Sequence, residues 1–92
     1  MKSTTQIQTL EGRRIAKRLF NHWKHKFEVL ETEQDFKIIM PTAVITLIPQ
    51  PETLDVSIKS DDENHDRLEQ VVIDHLNRMA QQEFTVTWHH PS

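Results

Sequence analysis

Six histidines in a chain of 92 residues offer the widest chemical scope, and their spacing sorts them. His22 and His25 stand one helical turn apart, close enough for both imidazoles to reach one metal ion. Two histidines supply only half of a tetrahedral site, and no glutamate or aspartate lies at a matching offset on the same helix. His75 falls inside the apolar stripe of a second expected helix, among Leu68, Val71, Val72 and Met79. If the two helices pack side by side, His75 completes a set of three, so the expected metal ligands are His22, His25 and His75. A buried imidazole needs hydrogen-bond partners, however. The competing reading, and the favoured one for His75 alone, is a core histidine bonded to a backbone carbonyl or side chain.

The second chemical feature is charge. The net charge is −3, but residues 11–26 carry a local +5 and residues 52–69 a local −5. Arg14, Lys17 and Arg18, with Lys24 nearby, form a stripe that could meet phosphate or an acidic protein surface. Two solvated helix faces are the simpler reading. Nucleic acid is not the expected partner: it asks for a basic net charge and exposed aromatics, and here Trp23 and Phe27 belong to the apolar stripe. A protein partner, or the acidic helix of a second copy in a homodimer, fits better.

Other chemistries are thinly supported. The chain has no cysteine, which removes disulfides, thiolate catalysis and cysteine-ligated metals. It has one glycine, too few for a phosphate-cradling loop, and no GxSxG elbow. Asp74, next to His75, points to another side of its helix. An enzyme is therefore not the expected class, and no cofactor beyond a metal ion is implied. No segment approaches the length needed to cross a bilayer. Residues 1–10 hold one lysine and no apolar core, unlike a secretory signal. A cytoplasmic location is the expectation.

The elements that must position these groups follow from periodicity. From Leu10 to Phe27 the residues Ile15, Ala16, Leu19, Phe20, Trp23 and Phe27 line one side of a helix, with Arg14, Arg18, His22 and His25 away from that stripe. Period-two segments follow at Glu28–Glu31, Asp35–Met40, Ala43–Ile48 and Thr53–Lys59, separated by turns at Thr32–Asp35, Pro41 and Pro49–Glu52. Ser60 with Glu63 reads as a capping box for a second helix that ends near Gln82. Phe84, Val86 and Trp88 alternate with Thr85, Thr87 and His89 in a last expected strand. Met1–Gln8 is polar and expected to fray. The expectation is a single α+β domain over residues 1–92, a two-layer sandwich in the order α-β-β-β-β-α-β. Its antiparallel five-stranded sheet carries both helices on one face, and its last strand pairs beside its first.

Two blocks carry a resemblance. Arg14-Ile15-Ala16-Lys17-Arg18-Leu19-Phe20-Asn21-His22-Trp23-Lys24-His25-Lys26, and Leu68-Glu69-Gln70-Val71-Val72-Ile73-Asp74-His75-Leu76-Asn77-Arg78-Met79-Ala80 with Glu83 and Trp88, resemble the bacterial domain of unknown function 2218 family across residues 12–88. The resemblance implies a small cytoplasmic protein that keeps company with siderophore-interacting, iron-uptake proteins. By position, it implies a ligand site at His22, His25, Lys26, His75 and Arg78. The chain departs from the pattern at Phe20, where a cysteine is common. It departs again at Asn77, Met79, Gln81 and Gln82, which replace a more charged and aromatic run. The expected function is a binding or accessory module linked to iron or siderophore handling. The alternative is an interaction domain dimerising through its basic and acidic helices.

Overall fold

The computed structural model describes residues 1–61 and 65–90. It contains strand β1 (Lys2–Gln8), helix α1 (Gly12–Trp23), strands β2 (Glu28–Glu31), β3 (Phe36–Ile39), β4 (Ala43–Pro49) and β5 (Thr53–Ser60), and helix α2 (His65–Ala80). The strands form one antiparallel sheet in the order β1-β5-β4-β3-β2. Both helices pack on one face, giving a two-layer α+β sandwich. Among the described residues, no helix is long and apolar enough to cross a membrane.

Period-two alternation sets which face is dry. Phe36 and Ile38, Ala43, Ile45 and Leu47, and Leu54, Val56 and Ile58 are all buried. The register lines them up into rows: Ile58 opposes Ile45, which opposes Ile38, while Val56 opposes Leu47, which opposes Phe36. Burying each such aliphatic or aromatic side chain contributes about 1.5–3 kcal/mol, so these rows are the core of the fold. The helix α1 lays Ile15, Ala16, Leu19, Phe20 and Trp23 on them. It comes close enough that a Cβ on Gly12 would stand 3.0 Å from the Thr53 carbonyl oxygen and 3.3 Å from Leu54 Cβ. The one glycine of the chain therefore sits where the helix start meets strand β5.

The order of elements differs from the expectation at both ends. Lys2–Gln8 does not fray but forms the edge strand β1, paired with β5 from Lys2↔Lys59 to Gln8↔Thr53. The segment Phe84–His89 contributes only one bridge, Thr4↔His89, rather than a strand. It lies beside β1, at the opposite edge from the Glu28–Glu31 strand where it was expected. The observed order is thus β-α-β-β-β-β-α. The physical reason lies in the side chains that β1 sends inward: Ser3, Thr5 and Ile7. Two of the three are polar and are satisfied by side-chain hydrogen bonds, so hydropathy does not register the strand.

Helix α2 is also turned relative to its expected stripe. Its fully buried line is His65, Glu69, Val72, Ile73 and Leu76, with Leu68, Val71 and Met79 only partly buried. Ser60 ends β5, and its expected capping-box partner Glu63 lies outside the described residues. The far end of α2 closes in a Schellman arrangement. Gln82 N donates to Asn77 O at 3.2 Å, Gln81 N to Arg78 O at 3.3 Å, and Gln81 takes φ 58°.

Candidate functional site

The expected histidine group assembles in part. Side-by-side packing of the helices brings the His22 and His75 rings to 5.6 Å, and Trp23 to 4.8 Å from His75. His75 Nδ1 lies 2.8 Å from the Val71 carbonyl oxygen. A carbonyl only accepts, so Nδ1 carries the hydrogen and Nε2 is the nitrogen left for other partners. His25 is exposed in the turn after α1. Lys26 lies in the same turn with its ammonium 5.5 Å from the Phe27 ring, and Arg78 is exposed in the last turn of α2.

The cations of α1 are engaged within the chain. Arg14 pairs with Glu11 at 3.0 Å, and Lys17 pairs with Glu31 at 2.6 Å while lying 4.8 Å from the Phe20 ring centroid. Arg18 donates to the Met79 carbonyl at 2.9 Å, tying α1 to the last turn of α2. A cation there suits the negative end of the helix dipole.

A denser polar cluster sits at the other end of α2, and periodicity gave no sign of it. The first turns of α2 place His65 and Glu69 at i and i+4 on the buried side, facing Ser3 of β1. Ser3 is 0% exposed, His65 2% and Glu69 7%. The Ser3 hydroxyl donates to Glu69 Oε2 and lies 2.5 Å from His65 Nε2. His90, from the segment bridged to β1, places Nε2 2.6 Å from the same Glu69 oxygen.

Proton counting then fixes the roles. A hydroxyl has one hydrogen, and that of Ser3 goes to the carboxylate, so Ser3 Oγ accepts from His65 Nε2–H. In the neutral ring this leaves Nδ1 of His65 as a bare lone pair. That nitrogen is buried and has no hydrogen-bond partner among the described residues. Buried polar atoms are rarely left so, and an unsatisfied one marks a site whose ligand is to be sought.

At the surface the cluster opens into a depression lined by Met1, Lys2, His65, Asp66 and His90. Asp66, Glu69 and His90 bring one ligand atom each to within 4.8 Å of one another. Among the described residues, three such atoms converge there and not at His22, His25 and His75. The i,i+4 pair of His65 and Glu69 was the one local signal available in the sequence. Ser3 and His90 arrive from the two ends of the chain, and no spacing rule connects them. A wider cleft of about 760 Å³, on the open face of the sheet, is lined mostly by small polar side chains such as Thr4, Gln6, Ser57 and Thr87.

The chain is similar to known proteins over almost its whole length. A family model described as an uncharacterised protein conserved in bacteria, DUF2218, matches residues 4–89. The NMR structure of PA4090 from Pseudomonas aeruginosa superposes with a TM-score of 0.81 at 33% sequence identity, covering 96% of this chain and 94% of that one. No curated protein matches. The chain belongs to the DUF2218 family.

Proposed function

We propose that this DUF2218 member is a small binding or accessory module whose ligand seats at the junction of β1, the start of α2 and the segment ending at His90. One observation carries the reading: a buried carboxylate, Glu69, is held by Ser3 beside a buried imidazole whose Nδ1 has no hydrogen-bond partner among the described residues. Burying a carboxylate is costly unless it is paired and hydrogen-bonded. A purely structural clamp would close on itself. This one leaves His65 Nδ1 without a partner among the described residues and sets His90 and Asp66 at the surface.

The same geometry argues against reading the Ser3, His65 and Glu69 set as a hydrolase. Its hydroxyl is wholly buried and spends its hydrogen on the carboxylate, so it presents no nucleophile to a substrate. A cytoplasmic location and a part in iron or siderophore handling belong to the same proposal and draw on the family resemblance. Within it, His22, His75 and the exposed His25 form a second place to look for the ligand. The competing interaction reading requires Arg14, Lys17 and Arg18 to leave Glu11, Glu31 and the Met79 carbonyl before they can meet a second copy.

The test is chemical-shift mapping by NMR against inorganic phosphate, citrate, 2,3-dihydroxybenzoate and divalent cations, each added alone. Saturable shifts centred on Ser3, His65, Asp66, Glu69 and His90 are expected. Shifts centred instead on His22, His25 and His75 would move the site to the helix pair, and no saturable shift with any probe would sink the reading.

A further inference from the structure

We infer that the ligand of this cluster is a divalent first-row transition-metal ion, held by Asp66, Glu69 and His90. The inference rests on the binding-site reading above and goes one step beyond it. One imidazole and two carboxylates form a mixed nitrogen and oxygen donor set, which favours such ions over calcium or magnesium, whose sites are built from oxygen alone.

Two independent observations point to a metal rather than to a chance meeting of side chains. The first is convergence: the three ligand atoms lie within 4.8 Å of one another, although His90 is far from the other two in sequence. The second is His65. It lines the same depression as Asp66 and His90, and its buried Nδ1 has no partner among the described residues.

The surroundings suit the assignment. Metal-binding carboxylates are characteristically fixed by a further hydrogen bond, and the buried Ser3 hydroxyl supplies one to Glu69. The 2.6 Å contact between His90 Nε2 and Glu69 Oε2 is a hydrogen bond, shorter than the spacing of two ligands on one ion. Loading therefore replaces the hydrogen between them by the metal, and the imidazole of His90 then carries its hydrogen on Nδ1. His90 is exposed and lies just beyond the bridge at His89, so its ring can swing by the small amount required. Lys2, on the same rim, is the cation that the incoming ion must pass.

The experiment titrates the whole protein with Co(II) and Zn(II) while recording cobalt absorption and the imidazole resonances. One equivalent should saturate, with His65 and His90 shifting and excess Mg(II) failing to compete. His90→Ala and Asp66→Asn change exposed residues, so the fold is retained in both. Each should weaken Co(II) binding by about tenfold or more, while His22→Ala should leave it unchanged. If phosphate, citrate or dihydroxybenzoate shifts Ser3 and His65 but neither metal binds, the metal inference fails and the binding site stands. If Co(II) binds equally well to the Asp66→Asn and His90→Ala proteins, or shifts His22 and His75 instead, the assignment is overturned. If no probe binds, both readings fall.

Discussion

Replacing Glu69 by alanine should destabilise the protein by about 3 kcal/mol, most of it from one hydrogen bond. The Ser3 hydroxyl, 0% exposed, donates to Glu69 Oε2. A buried hydrogen bond to an ionised acceptor contributes about 1.5–3 kcal/mol, and burial leaves no solvent to screen this one. The His90 contact adds less, because its side chain is 55% exposed and exposed pairs contribute about 0–1 kcal/mol. For a domain of this size, 3 kcal/mol corresponds to a fall in Tm of about 12–24 °C. Urea unfolding followed by tryptophan fluorescence gives the free energy directly, since Trp23 is 5% exposed and reports on opening of the core. Glu69→Gln keeps the shape and loses the charge, so it should fall between wild type and Glu69→Ala. A double-mutant cycle with Ser3→Ala should return a coupling of about 1–2 kcal/mol, because the two side chains share one bond. A loss below about 0.5 kcal/mol, the range of ordinary surface substitutions, would refute the claim that this is a buried polar network. Strict additivity of the two substitutions would refute it as well.

Two further substitutions test how α1 and α2 are set. Gly12→Ala should destabilise despite better helix propensity, because its Cβ meets the Thr53 carbonyl oxygen at 3.0 Å and Leu54 Cβ at 3.3 Å. Overpacking of about 1–3 kcal/mol outweighs a propensity gain of at most about 1 kcal/mol, and a rise in urea midpoint would contradict that balance. Gln81→Gly should do the opposite: residue 81 holds φ 58°, where a Cβ is strained. The expected gain is about 0.5–1 kcal/mol after allowing for the looser unfolded chain, read as a higher Tm, and a lower Tm would show that the turn is not under that strain.

The sequence by itself determined much of the architecture. Alternation specified the strands Phe36–Ile39 and Thr53–Ser60, the run apolar on both faces at Ala43–Pro49 specified a central strand, and the proline-bearing turns between them made them antiparallel. The spacing of Ile15, Ala16, Leu19, Phe20 and Trp23 specified the face of α1. These are local periodic signals, and each is strong because it buries apolar surface. The packing of α1 on α2, which brings His22 to His75, followed from the two apolar stripes having one sheet to cover. Tertiary structure alone decided the rest. Strand β1 carries Ser3 and Thr5 inward, and a buried serine looks like a surface residue until its partner is known. Hydropathy placed Val72 in the buried stripe of α2 but left out His65 and Glu69 for the same reason. The Ser3, His65, Glu69 and His90 cluster joins residues from both ends of the chain through hydrogen bonds. Hydrophobic burial is nearly additive and leaves a periodic trace in sequence. A polar side chain is buried only when a particular partner meets it at a particular distance, and that condition exists only in the folded chain.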